Sequence, residues 1–237
     1  MLQVEFFHDV ICSFCFPMSN RMRKIKSKYP NLNVIHRSFA LGWEKEDFER
    51  MFGTHAAVKP EVLNHWAAAN QNDDEHRFNI ASMEAEDFLF PTSKSGLLAA
   101  KAAGEVGGQK AYWDLFDKLQ EALFVKSLNI ADIQVIEQLV KETTLDFDQW
   151  QASFQSPETE AKVLADLKIV KSYGIEGAPA LVVNQKYIIS GAQPQKVIET
   201  AFEEIAEKEG VSLTGLQIIG GDGGAVCQII DGQWMCD

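Results

Sequence analysis

The placement of Cys12-Ser13-Phe14-Cys15 constrains this chain more than any other feature. A short apolar run, residues 3–8, precedes it and ends at His8-Asp9. An amphipathic stretch comes after it and runs to about Tyr29, with Met18, Met22 and Ile25 at helical spacing. A cysteine pair between a strand and a helix lies at the start of that helix. Free backbone N–H groups and the helix dipole there favour a negatively charged sulfur on Cys12. Cys15, one turn on and expected to be covered, is placed to attack a mixed disulfide formed on Cys12, so exchange runs as a cycle. A zinc knuckle and an unreactive buried pair are the competing readings. Knuckle cysteines usually sit on tight turns with glycine after the second cysteine, whereas Phe16-Pro17 and a helix come next here. Redox chemistry is therefore the reading, with no metal.

The rest of the chain arranges itself around that opening. Pro30-Asn31 ends the first helix, and Asn33 to Leu41 reads as a second strand. From Glu44 to about Tyr173 the signal is helical almost throughout, with Ala111, Leu115, Leu119 and Leu123 on one stripe. Asn129 is the expected N-cap of one helix, and Ser156 before Pro157 predicts another start with proline in the first turn. After Gly177-Ala178-Pro179 come two short strands, Ala180 to Val183 and Tyr187 to Ser190, joined closely enough to demand an antiparallel hairpin. A helix from about Gln193 to Lys208 closes the unit. The plan is α/β: residues 1–43 and 174–209 form one domain around a central mixed sheet. Residues 44–173 form a large all-helical insertion, or lid, and 210–237 a small C-terminal β tail.

Composition limits the partners. A net charge of −12 provides no basic face for nucleic acid or an anionic membrane. Glu5 interrupts the opening apolar run, so no secretory leader is expected, and no uncharged apolar stretch is long enough for a membrane span. The expectation is a cytoplasmic protein, where paired cysteines are more often catalytic or metal-binding than structural.

Pro179 stands immediately before a strand, an unusual place for proline unless the strand is entered at an edge or through a cis bond. Asp9-Val10-Ile11-Cys12-Ser13-Phe14-Cys15, Gly174-Ile175-Glu176-Gly177-Ala178-Pro179 and Ile189-Ser190-Gly191-Ala192-Gln193-Pro194 together resemble the DsbA-like thiol–disulfide oxidoreductases of the thioredoxin superfamily, specifically their cytoplasmic FrnE-type branch. The resemblance covers about residues 3–208. It implies a thioredoxin-like fold with a helical insertion, Cys12 as nucleophile, Cys15 as resolving thiol, and Pro179 in cis beside the dithiol. The Ala178 backbone is then free to pair with an extended substrate, and Phe14 to hold it. The implied activity is oxidation, reduction or isomerisation of protein disulfides. Cysteine-containing proteins are the substrates, glutathione or another thiol reductant or oxidant is the electron partner, and no cofactor is needed beyond the dithiol. Family members often carry proline where this chain has Ser13, and Phe14 is not a histidine. Two rivals remain: a glutathione-dependent isomerase or transferase resembling 2-hydroxychromene-2-carboxylate isomerase and kappa-class relatives, which typically have serine at the Cys12 position, and a non-enzymatic DsbA-like adaptor.

His8 and Asp9 stand at the strand end facing the dithiol. They are candidate proton relays, or a surface histidine and a turn-capping aspartate. In the tail, Asp231-Gly232 is a strong two-residue hairpin turn. Counting outward sets Ile230 opposite Gln233 and Cys227 opposite Cys236 at a non-hydrogen-bonded site, where side chains approach most closely. Cys227 and Cys236 are thus a candidate disulfide and a candidate second redox pair.

Overall fold

The structure is a computed structural model that describes residues 1–214 and the backbone of the strands 227–230 and 233–236. Four strands form the main sheet: β1 Leu2–His8, β2 Leu32–Ser38, β3 Ala180–Val183 and β4 Tyr187–Ser190. Their order is β2-β1-β3-β4, with β1 parallel to β2 and both other pairings antiparallel. The parallel pair needs a crossover, which α1 (Cys15–Lys28) supplies. Between β3 and β4, Asn184 and Gln185 both take positive φ, and Lys186 N–H closes the turn on the Val183 carbonyl at 3.0 Å. That pair of left-handed residues matches the strand twist, and asparagine tolerates the conformation.

The strand β1 is central and almost wholly buried, so its sequence alternation does not translate into one wet face. Leu2, Val4 and Phe6 pack with Met18, Met22 and Ile25 of α1 and with Ile198 and Phe202 of α9 (Gln195–Glu209). On the opposite face Phe7 packs with Val170, Ile175, Ala180 and Val182. Glu5 points the same way and is charge-compensated there. Its Oε1 accepts from Arg37 Nε at 2.9 Å and its Oε2 from the Tyr173 hydroxyl at 3.0 Å.

The insertion holds α2 (Lys45–Phe52), α3 (Val58–Asn72), α4 (Ile80–Ala85), α5 (Ser93–Phe124), α6 (Ile133–Lys141), α7 (Phe147–Phe154) and α8 (Pro157–Ser172). Its spine is α5, which kinks at Gly108, where φ is 71°. Leu115, Leu119 and Leu123 face the insertion's own core with Trp66, Phe124 and Trp150. Val10, Ile11 and Phe16 join that same core from the dithiol loop, so the loop is clamped between sheet and insertion. Gly96 permits the clamp: a Cβ there would lie 2.7 Å from Val10 Cγ2. Ser156 caps α8 by accepting from Glu158 N–H. Asn129 does not cap α6. Asp132 does, accepting from Gln134 N–H, while Asn129 heads the tight turn before it, which closes from Asp132 N–H to the Asn129 carbonyl. A capping residue must immediately precede the first helical turn, and Asn129 is three residues too early.

The tail strands β5 (Cys227–Ile230) and β6 (Gln233–Cys236) pair antiparallel with Cys227 opposite Cys236 and Ile230 opposite Gln233. The turn itself, and the disulfide between those two side chains, lie outside the described residues.

Candidate active site

The strand β1 runs out at His8, and Asp9 organises the loop that leads from it to the dithiol. Its Oδ1 accepts from Ile11 N–H at 3.2 Å, tightening the turn. Its Oδ2 accepts from Leu41 N–H at 2.6 Å and from the Ser93 hydroxyl at 2.6 Å, tying the loop to the end of β2 and the start of α5. Burial raises its pKa to about 6 despite these bonds. Asp9 is thus a buried anchor as well as a turn cap.

Cys12 N–H closes on the Asp9 carbonyl at 3.1 Å, Cys15 N–H on the Cys12 carbonyl at 3.0 Å, and Phe16 N–H on that of Ser13 at 3.3 Å. The helix proper begins at Cys15, not at Cys12, because a tight turn through Ser13 and Phe14 precedes it. Both cysteines are free thiols. Cys12 is 4% exposed and Cys15 wholly buried beneath it. Burial pushes the Cys15 thiol well above its ordinary range, and its hydrogen bond to Cys12 adds to the rise. The Cys12 thiol donates to the Ala178 carbonyl at 3.3 Å. The Ala178–Pro179 peptide is cis, and the Pro179 carbonyl accepts from Gly191 N–H at 2.9 Å. The three motifs read from sequence therefore meet at one place. Phe14, half-buried, packs on the insertion core.

Gln120 was not legible as a site residue. It lies on the buried face of α5, and its Nε2 donates to the Asp9 carbonyl at 3.2 Å and the Cys12 carbonyl at 3.3 Å. The only sequence signal was a polar residue beside Leu119, one turn after Phe116.

His8 is not a surface histidine. It is fully buried, its Nε2 lies 3.2 Å from His36 Nδ1, and its ring stacks on Phe116 with centroids 3.7 Å apart. Burial lowers both pKa values, that of His36 to about 3; repulsion from His36 and Lys101 adds to the fall at His8, and from Arg23 and Lys101 at His36. Both imidazoles are neutral in the folded state and gain a proton on unfolding below pH 6.5. Their stabilising contribution is present above 6.5 and is lost as pH falls towards the folded values. Asp9 has the opposite sign: its contribution is lost as pH rises through 6. Relative to a His8→Phe/His36→Phe variant, wild-type unfolding free energy is expected to fall by about 4 kcal/mol between pH 7 and pH 5. A difference constant across that range in urea titrations means the rings titrate freely.

Among the described residues no helix is long and apolar enough to cross a membrane, and no cluster of three or more potential metal ligands forms.

Residues 3–203 match the family model described as a DSBA-like thioredoxin domain. The chain is 32% identical over 184 residues to the ClpXP adapter protein SpxH of Bacillus subtilis (strain 168), covering 76% of this chain and 57% of that protein. It thus spans little more than half the length of that relative. Among solved structures, a Nitrosomonas europaea protein provisionally assigned as a protein disulfide isomerase superposes with a TM-score of 0.73 at 19% identity, over 87% of this chain and 98% of that one. The cytosolic disulfide reductase DsbM of Pseudomonas aeruginosa gives 0.66 at 16% identity, over 85% and 99%. At these identities the two structures attest the fold.

Proposed function

The chain belongs to the family of DSBA-like thioredoxin domains, and from that premise we propose that it is a protein thiol–disulfide oxidoreductase or isomerase of the cytoplasmic FrnE-type branch. One observation carries this reading: two free thiols stacked at the start of a helix, the outer one against the Ala178 carbonyl and the inner one wholly buried.

In the reducing direction the Cys12 thiolate attacks one sulfur of a substrate disulfide. A Cys12–substrate bond forms and the other substrate sulfur leaves as thiolate with the electron pair. Cys15 then attacks Cys12, the substrate's second sulfur leaves, and the Cys12–Cys15 disulfide remains; glutathione or another thiol reduces it. The buried, proton-holding Cys15 reacts only after Cys12 is engaged, which orders the two steps. The backbone at Ala178 pairs with the extended substrate beside Pro179, and Phe14 contributes apolar surface. Cys227 and Cys236, opposite one another in the tail, are a candidate second pair.

The similarity to SpxH supports a second reading, a protein adaptor, in which partner binding is indifferent to both thiols. A glutathione-dependent isomerase has only the shared fold behind it, and its usual serine is absent here.

Equilibration with glutathione buffers, read by thiol alkylation of the Cys227→Ser/Cys236→Ser variant, is expected to give one two-electron transition. Set against a cytosolic poise of roughly −220 to −320 mV, its midpoint decides the direction of electron flow. Absence of any transition would remove the oxidoreductase reading and leave the adaptor.

A further inference from the structure

The exchange chemistry accounts for Cys12, Cys15 and Ala178 but not for Gln120, an amide kept fully buried on α5. Its neighbours along that helix, Phe116, Leu119, Leu123 and Phe124, are wholly buried core. Half of the amide is unmet: among the described residues Gln120 Oε1 has no hydrogen-bond partner. A buried polar atom left unpaired destabilises a fold, and an apolar side chain would suit these surroundings without that cost. What the glutamine contributes therefore lies in its nitrogen. Turned over, the amide would set Oε1 against two carbonyl oxygens, so its orientation follows from its partners.

That nitrogen donates twice, both times to the dithiol loop. The Asp9 carbonyl, 3.2 Å away, is the acceptor that closes the first tight turn on Cys12 N–H at 3.1 Å. The Cys12 carbonyl, 3.3 Å away, closes the second on Cys15 N–H at 3.0 Å. One side chain thus grips the acceptor of each turn that sets a cysteine. Val10 and Ile11 before the dithiol and Phe16 after it anchor the loop through their side chains in the insertion core, and Gln120 holds the backbone between them. The helix that carries Gln120 is itself fastened to the helix that carries Cys15. Trp113, Asp117 and Gln120 stand at i, i+4 and i+7 on one face of α5. Trp113 Nε1 donates to the Ser19 hydroxyl at 2.6 Å, and Asp117 accepts from that hydroxyl and from Arg23 Nε at 2.9 Å. Ser19 and Arg23 belong to α1, so loop, α1 and α5 brace one another as a triangle.

Resting on the exchange reading, we infer that Gln120 is a positioning residue: its amide holds both cysteine turns of the reduced protein in the shape that the Cys12–Cys15 disulfide needs. Closing the disulfide then orders little further backbone, because the loop is ordered beforehand. The effective concentration of Cys15 at Cys12 rises. That stabilises the disulfide against glutathione and speeds the step in which Cys15 displaces a sulfur from Cys12. Attack by Cys12 on an outside disulfide uses one protein sulfur and gains nothing from the brace. Loss of the amide is thus directional: the protein becomes more oxidising and its resolving step slows, while its first step does not.

The test uses Gln120→Met, which keeps an apolar side chain of similar length and removes the amide, in the Cys227→Ser/Cys236→Ser protein. The Asp9 and Cys12 carbonyls keep their bonds from Cys12 N–H and Cys15 N–H, so the fold is expected to hold. Reduced protein is mixed with glutathione disulfide. Cys12 forms a mixed disulfide as one glutathione leaves, and Cys15 then releases the second, so one glutathione disulfide yields the protein disulfide and two glutathiones. Acid-quench mass spectrometry is expected to show the adduct forming at the parent rate and resolving about tenfold more slowly. In glutathione buffers the protein disulfide is expected to be about tenfold less stable, a midpoint about 30 mV less negative. An unchanged midpoint with a lower melting temperature marks a merely structural glutamine and overturns the inference, as does a midpoint shifted the other way. Hydrogen exchange tests the brace with Gln120 in place: the Cys12 and Cys15 amides of the parent protein are expected to be equally protected in the reduced and oxidised forms. Free exchange in the reduced form alone overturns it. A parent protein that shows neither adduct nor transition sinks the exchange reading itself, an outcome distinct from a normal transition that the substitution leaves unmoved.

Discussion

In a Cys227→Ser/Cys236→Ser background, Cys12→Ser is expected to lower turnover of a protein disulfide by about three orders of magnitude or more, because a serine hydroxyl is not ionised at neutral pH and the one thiol left is the buried Cys15. Cys15 cannot substitute. It is wholly buried, and burial with its hydrogen bond to Cys12 holds its proton on. Cys15→Ser has a different signature. Cys12 still attacks, but in the same background no other thiol of the protein remains to resolve the adduct, so a mixed disulfide with substrate accumulates and clears only as fast as external thiol reaches it. Non-reducing electrophoresis separates the two: a covalent complex with Cys15→Ser, none with Cys12→Ser. If both variants turn over like wild type, the dithiol is not the working group. If neither wild type nor variants turn over, yet all retain one protein partner, the adaptor reading gains.

Asp166→Ala is expected to destabilise the fold by about 3 kcal/mol or more. The Asp166 carboxylate is nearly inaccessible on α8 and accepts from Arg37 Nη1 at 3.1 Å, from Ser38 N–H at 2.9 Å and from Lys101. Truncation leaves the Ser38 N–H at the end of β2 without its acceptor and two cations without that anion. The cost is the penalty of stranding those groups rather than the worth of the pair itself. Lys101 is 13% and Arg37 27% exposed in their side chains, so water recovers part of the loss for Arg37. Asp166→Asn keeps an acceptor for Ser38 and is expected to lose less. For a chain of this size the alanine variant melts about 6–12 °C lower. A shift within 1–2 °C means the three elements hold together without the carboxylate.

How much of this was legible in the sequence differs by element. The strands Ala180–Val183 and Tyr187–Ser190 coincide with their sequence reading, because proline, a short polar link and two apolar runs specify a hairpin locally. Ser156-Pro157 marked the start of α8 for the same reason. The second strand ends at Ser38 rather than Leu41, since the chain leaves the sheet where Leu41 N–H is taken by Asp9. No local pattern announces that bond, which joins residues 32 apart in sequence. The tail register, Cys227 opposite Cys236, came from one turn dipeptide.

Local chemistry thus determined the dithiol, the helix that carries it, the hairpin beside it and the order of elements, because each rests on neighbours a few residues away. Tertiary structure alone decided what surrounds the sulfurs. It brought the Ala178 carbonyl to Cys12 across 166 residues, turned His8 inward against His36, and gave Asp9 its acceptor role towards Leu41 and Ser93. It also recruited Gln120 from a stripe of leucines. Buried polar groups find partners wherever packing brings a donor and an acceptor together. Such encounters depend on how helices and sheet close upon one another, and sequence spacing does not encode them.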